Sequence, residues 1–413
     1  MTLRTRIAII LGKIVSWVSK TFRLGAGATW PGEIALRIEP RLLHILTHKI
    51  PHLILVAGTN GKTTTAKMIQ TIIGGVRNTS GANLDNGLVS VFLTNKKEKY
   101  YILEVDEATL PNILKEMTPE IVVLTNLFRD QLDRYGEVDV IAEKWSAALE
   151  EVDKRTTVII NADDPHLAFI GTNIRAQVKY FGLEDPSLYL PNMQHATDTI
   201  YCPGCGNRLT FTGVYFSHLG EWSCTHCAFK KPSVIHIDVQ YPIEGVYNKY
   251  NTVAAALTAE VLGIHHDAIR EGLAKFIPAF GRMENIVVEG RRVKILLSKN
   301  PTGFNESLRT VANSADRGPV LFMLNDRIPD GRDVSWIWDV DFELYKDFPR
   351  YLVSGDRAYD MGLRLKYAGI SAELISDIRQ AVFSVGENEV LWILPTYSAM
   401  LDVRKILTGR KIL

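Results

Sequence analysis

Along most of this chain, short runs that are apolar at nearly every position alternate with longer segments that suit helices. Apolar runs stand at His52–Ala57, Tyr101–Val105, Ile121–Asn126 and Thr157–Ala162, separated by helix-compatible stretches such as Val138–Glu151. Strands separated by helices predict a parallel sheet with crossover connections, an α/β architecture. Past Pro278 to Glu284, which reads as a linker, runs at Val293–Leu297, Val320–Leu324, Tyr351–Val353 and Leu391–Pro395 repeat the pattern and predict a second α/β domain. Ahead of the first strand, residues 2–23 set Ile7, Ile9, Ile10, Leu11, Ile14, Val15 and Val18 among Arg4, Arg6, Lys13, Lys20 and Arg23. That mixture suits a basic amphipathic helix, either laid on a membrane surface or packed against the next domain. The stretch Gly25 to Gly32 should end it. The expected division is a lead segment over 1–45, a central domain over 46–280 and a C-terminal domain over 281–413.

The 413 residues suffice for two or three such domains. Lys and Arg number 47 against 46 Asp and Glu, which argues against a broad nucleic-acid-binding face, so no nucleic-acid partner is expected. No apolar run approaches the roughly 18–20 residues that span a bilayer, and no small-residue cleavage site follows the apolar N-terminus, so a cytoplasmic protein is expected. All four cysteines fall into two C-x-x-C pairs, a usage that fits metal binding in a reducing compartment better than a disulfide framework.

Candidate chemistry begins where the first strand ends, at Gly58-Thr59-Asn60-Gly61-Lys62-Thr63-Thr64. Two glycines let the backbone pass close to an anion, and the N–H groups opening the next helix would point at phosphate oxygens. Lys62 would reach the terminal phosphates and Thr63 would hold Mg²⁺. Val56 occupies the first glycine position of the general phosphate-loop pattern, and an ordinary glycine turn is the other reading. Catalytic groups should collect at the carboxyl ends of the parallel strands. Three clusters lie there: Glu104 with Asp106 and Glu107; Thr125-Asn126 followed by Arg129 to Asp133; and Asn161-Ala162-Asp163-Asp164-Pro165. Carboxylates beside a phosphate loop would suit Mg²⁺, which takes hard oxygen ligands.

Cys202, Cys205, Cys224 and Cys227, with 18 residues between the pairs, can close a tetrahedral zinc site of structural type; redox thiols are the alternative. The turn-rich segment around them, about 190–235, reads as an insertion in the central domain. Further on, Asn248 and Asn251 lie on one face of the first turn of an Ala-rich helix, where they cap it or touch a nucleotide.

Together these residues resemble the Mur ligase superfamily, over nearly the whole chain after about residue 30. Gly58 to Thr64 resembles its ATP loop and Glu104 its Mg²⁺-binding Glu. Asn126, Asp130-Gln131, Asp133 and Gly136 resemble its third motif, and Asn161 to Pro165 its central-domain signature. Asn248 and Asn251 match its nucleotide-contacting asparagines, and Gly281-Arg282-Met283-Glu284 the entrance to its Rossmann-like C-terminal domain. Lys144 falls near a lysine that several members carry carbamylated. The resemblance implies ATP, Mg²⁺ and a nucleotide contact from Arg282. There are departures: Gln131 replaces a Mg²⁺-binding His, and Leu296-Leu-Ser-Lys-Asn-Pro301 replaces Asp-Tyr-Ala-His-Asn-Pro. The stretch before the loop is too short for the superfamily's UDP-binding domain.

The four-cysteine insertion, with Asn325 to Glu343, is most similar to members that form the synthetase subunit of lipid II isoglutaminyl synthases. That likeness implies ATP-dependent amidation of the D-Glu α-carboxylate of the lipid II stem peptide, through an acyl phosphate, in cell-wall synthesis. The ammonia would come from a GatD-like glutamine amidotransferase subunit, since no cysteine here is left as a nucleophile. Lipid II would place the chain at the inner face of the plasma membrane. The likeness further implies that Asp339, or second to it Asp333, completes the partner's Cys-His pair, with Trp336 and Trp338 as contact anchors. An amino-acid-adding ligase of the Mur or folylpolyglutamate type, and a non-catalytic nucleotide-binding scaffold, are the alternatives.

Overall fold

The computed structural model describes residues 1–22, 29–48, 50, 52–78, 83–94, 98–130, 137–278, 281–316, 318–386 and 389–409. Arg23, Gly25, Pro51, Gln131, Asp133 and Gly136 lie outside the described residues. Two six-stranded sheets organise the rest. The first runs in the order β2 (Val76–Arg77), β3 (Tyr100–Val105), β1 (His52–Ala57), β4 (Ile121–Leu124), β5 (Thr157–Asn161) and β6 (Gln177–Phe181). All of its pairings are parallel.

Alternate side chains of β1 feed two cores, which is why its run is apolar without a break. Leu53, Leu55 and Ala57 pack on one face with Trp145 and Leu149 of the helix Val138–Glu150. On the other face Ile54 and Val56 meet Ala66 and Ile69 of the helix Lys62–Ile73, backed by the Ala-rich helix Val246–Val261. The chain fills the sheet to one side of β1 with β2 and β3, then crosses to β4, β5 and β6 on the other. The loops leaving β1 and β4 therefore diverge at the carboxyl edge and open a crevice there.

The second sheet runs in the order β13 (Glu373–Leu374), β12 (Tyr351–Ser354), β11 (Val320–Met323), β14 (Val390–Pro395), β10 (Arg291–Leu296) and β9 (Arg282–Val288). Only β9 is antiparallel. This corrects the linker expectation, because Arg282 and Glu284 already pair in β9 against β10, with Met283 bulged between them.

The inserted segment carries the hairpin β7 (Thr210–Phe216) and β8 (Leu219–Ser223). Trp222 Nε1 ties it to the end of β5 through the Ala162 carbonyl at 3.2 Å. Residues Leu3–Phe22 form a single helix, and among the described residues no helix is long and apolar enough to cross a membrane.

Candidate active site

The loop after β1 needs glycine at two places. Gly58 has φ +139°, and a Cβ there would sit 2.0 Å from Thr125 Oγ1; Gly61 has φ +89°, and a Cβ would meet Asn251 Oδ1 at 2.1 Å. Asn126 shapes the loop like a strand partner: its Oδ1 accepts from Asn60 N at 2.8 Å and its Nδ2 donates to Asn60 O at 3.0 Å. Thr59 N donates to Asn126 O at 2.9 Å. No side chain caps the helix Lys62–Ile73 at Gly61, so the N–H groups of its first turn remain available to an anion.

Thr63 and Glu104 come together as the sequence suggests, with Thr63 Oγ1 donating to Glu104 Oε2 at 2.7 Å. Arg77 Nη1 stands 3.2 Å from the other Glu104 oxygen, and Asn78 clamps the Glu104 backbone through two hydrogen bonds of 2.9 and 2.8 Å. A buried carboxylate and a hydroxyl form a hard-oxygen pair that fits Mg²⁺.

Lys62 pairs with Glu107 at 2.9 Å and donates to the Gly58 and Thr59 carbonyls. Burial pushes the Glu107 carboxyl up, but the Lys62 and Lys299 ammonium groups outweigh it and hold it below the ordinary range. Lys299, from the second sheet's side, pairs with Asp130. Burial raises the Asp130 carboxyl against the pull of that lysine.

The two halves meet at the loop. Asn60 and Asn300 exchange amide hydrogen bonds of 3.4 and 3.1 Å, and Asn300 caps the helix Pro301–Asn313 by accepting from Gly303 N at 2.8 Å. One cavity is lined by Asn60, Gly61, Thr64, Asn126, Asn248, Asn251 and Arg282, seven of the eleven predicted nucleotide contacts. Thr59 lies outside that lining, its hydroxyl donating to Phe128 O at 3.2 Å. Gly58, Lys62 and Thr63 form the rest of the loop. Asn248 and Asn251 do not cap their helix; Asn251 Oδ1 instead accepts from Thr65 Oγ1 at 3.2 Å. Burial lowers the pKa of Arg282.

Glu306 lines the same cavity, is 2% exposed, and neither of its oxygens has a hydrogen-bond partner. The nearest cation, Arg309, stands 3.7 Å away, and burial pushes the Glu306 carboxyl up to about 7.

Asp333 and Asp339 line a second cavity with Arg129, Asp130 and Lys299. Asp339 lies 3.3 Å from Arg129, while Asp333 accepts from the Ser335 N–H and hydroxyl at 2.8 and 2.9 Å. Trp338 is 48% exposed, edge-on to Tyr367. Trp336 is partly buried against Phe304, with ring centroids 6.0 Å apart, and lines the same cavity as Asp333 and Asp339.

The third carboxylate cluster is scaffolding. Asp164 caps the helix Pro165–Asn173 and also accepts from Leu127 N at 2.8 Å; Asp163 accepts from Tyr250 Oη at 2.5 Å and faces Lys231 at 2.8 Å. Lys144 is exposed on the helix Val138–Glu150. The sequence reading gave no role to Arg77, Asn78, Lys299 or Glu306. Glu306 gave no signal, because two residues after Phe304 it falls on the side of the helix opposite Phe304, Leu308 and Val311, where a carboxylate reads as solvated surface.

The four cysteine Sγ atoms lie within 4.8 Å of one another, with Cys202 and Cys227 at 3.6 Å and Cys205 and Cys224 at 3.5 Å. Four thiols converging on one point without a disulfide fit a tetrahedral metal site.

A family model described as Mur ligase middle domain matches residues 56–259, and one described as MurT ligase C-terminal matches residues 297–400. Among solved structures the chain is similar to a pseudomurein peptide ligase type C from Methanothermus fervidus, with TM-score 0.69 and 21% identity over 88% of this chain and 80% of that one. It is also similar to the MurF ligase of Thermotoga maritima in complex with ADP, with TM-score 0.63 and 16% identity over 90% and 83%. Fold and phosphate loop together define a protein of the Mur ligase class, whose members use ATP and Mg²⁺.

Over its full length the chain is 32% identical to the subunit MurT of lipid II isoglutaminyl synthase (glutamine-hydrolyzing) from Streptococcus pneumoniae, covering 100% of this chain and 99% of that one. The Staphylococcus aureus subunit of the same name is 31% identical over 90% of each. The chain belongs to the MurT family.

Proposed function

We propose that this chain is the synthetase subunit of a lipid II isoglutaminyl synthase, converting the D-Glu α-carboxylate of the stem peptide to the amide at the cytoplasmic face of the membrane. The observation that carries the reading is the phosphate loop set beside the Thr63 and Glu104 oxygens, in a chain similar to MurT from end to end. In the first step a substrate carboxylate oxygen attacks the terminal phosphorus of ATP and ADP leaves. Ammonia then adds to the acyl carbon, phosphate departs with its bonding pair, and the nitrogen sheds a proton.

The residues fit the first step. Loop N–H groups and Lys62 face the developing phosphoryl charge once Lys62 exchanges Glu107 for the nucleotide. Thr63 and Glu104 would hold Mg²⁺, whose chemistry when bound is neutralisation of phosphate charge. Arg129 and Lys299 in the adjoining cavity offer positive charge to the substrate carboxylate. The unpartnered Glu306 oxygens would accept from the adenine amino group or a ribose hydroxyl, the donors a bound nucleoside brings into that cavity. Zinc is the natural occupant of the four-cysteine cluster, in a structural role.

Both named relatives are subunits of synthases described as glutamine-hydrolyzing, and the cluster leaves this chain no free cysteine nucleophile. A separate GatD-like glutaminase therefore supplies the ammonia, with Asp339 turning from Arg129 to orient the partner's His and Asp333 as the alternative. The test is reconstitution with lipid II, ATP and Mg²⁺. Amidated lipid II should form with ammonium from this chain alone, and with glutamine only when the glutaminase is added.

A further inference from the structure

The helix Leu3–Phe22 is turned outside in. Its buried positions are Thr5, Ala8, Gly12, Ser16 and Ser19, all small, whereas Leu3, Ile7, Ile10, Ile14 and Trp17 are 42 to 76% exposed. At about 100° per residue the small positions centre on one side of the helix and the large ones on the opposite side. Close approach explains the small face: a Cβ on Gly12 would come within 2.6 Å of Leu93 Cδ1 and 3.1 Å of the Pro31 carbonyl. The helix is thus fixed to the helices Trp30–Ile38 and Asp85–Thr94 by its small residues, and presents its large apolar residues outward. An amphipathic helix of a self-contained domain does the reverse.

Charge says what covers the stripe. The helix carries no Asp or Glu, and the exposed cations flank the apolar residues, Arg6 and Lys13 along one edge and Arg4 along the other. A second copy seated on the stripe would bring these cations face to face. An anionic lipid surface would accept the apolar side chains below its headgroups and the cations among them. A helix of 20 residues is about 30 Å long, and Trp17 belongs to the residue type that favours the water–lipid boundary. We infer that this helix seats the chain flat on an anionic bilayer, lying in its surface without crossing it. The inference goes beyond the amidation reading and does not rest on it.

Sedimentation of the full chain with phosphatidylcholine vesicles, with and without phosphatidylglycerol, tests it in the absence of nucleotide and lipid II. The chain should pellet with the anionic vesicles and detach as salt rises. The variant I7S/I10S/I14S/W17S, changed only at exposed positions, should melt like the parent and lose roughly tenfold or more in affinity. The variant R6Q/K13Q should bind roughly tenfold more weakly and lose most of its salt dependence. Parent protein that stays in the supernatant, or variants that bind as the parent does, would overturn the inference. So would a parent dimer on gel filtration that the serine variant dissolves, which would assign the stripe to a second copy.

Discussion

Lys62 Nζ lies 2.9 Å from Glu107 Oε2, with only 11% and 4% of the two side chains exposed. The lysine that would bind phosphate thus neutralises a buried carboxylate that follows β3. Removing it does more than delete a ligand contact, because Glu107 is left with Lys299 as its remaining cation.

Lys62→Ala should therefore abolish amide formation and also destabilise the fold, by about 1–3 kcal/mol. Adding Glu107→Gln should return most of the melting temperature and none of the activity. Thermal melts and amidation assays of the two variants check this; a single variant as active as the parent would refute the role of Lys62. Because Glu107 has a lowered folded pKa, its stabilising contribution is present above the unfolded carboxylate value. That contribution disappears only as the pH falls through the folded value.

Glu306 titrates with the opposite sign. Its folded pKa of about 7 lies above the ordinary 4.5, so its contribution is fully present below 4.5 and is lost as the pH rises through 7. Glu306→Gln should melt close to the parent at acid pH and above it on the alkaline side, by up to about 3 kcal/mol. Calorimetry across this range would test the sign. A variant less stable than the parent at alkaline pH would mean that the ionised carboxylate has a partner. Comparing ADP, IDP and 2′-deoxy-ADP on parent and variant would tell which nucleoside donor meets it.

Substituting any one of Cys202, Cys205, Cys224 or Cys227 by Ser should release a stoichiometric metal ion and loosen the hairpin segment, since binding free energy at such a site is largely folding free energy. Elemental analysis of the purified parent should find zinc. Metal-free protein with an equally stable hairpin would end that assignment.

Asp339→Asn should leave ammonium-driven amidation nearly intact and cut the glutamine-driven rate of the mixed complex by roughly a hundredfold or more, the scale on which an orienting carboxylate acts. Loss of both activities would place Asp339 in this chain's own site beside Arg129. No change in either would move the assignment to Asp333.

The strands that could be read from the sequence, such as β1, β3 and β14, are those buried on both faces, where nearly every position is apolar. The short β2 and β13 and the half-exposed β6 could not, because their neighbours define them more than their own residues do. The loop and the four cysteines were legible because local spacing fixes their geometry, and Glu104 because it stands near the carboxyl end of a strand parallel to β1. Lys299, Arg77 and Glu306 reach the site from other elements, and no spacing in the sequence announces such a meeting. Asp163 and Asp164 mislead for the reverse reason: a strand-end carboxylate looks the same whether it faces a ligand or caps a helix.

The central claim is tested most directly by mass spectrometry of lipid II incubated with this chain, its glutaminase partner, ATP and Mg²⁺. Lipid II carrying one carboxamide in place of the D-Glu α-carboxylate should appear with ammonium or with glutamine, together with stoichiometric ADP, and should vanish with Lys62→Ala. A product extended by an amino acid, or no ATP consumption with lipid II and ammonium present, would contradict the account.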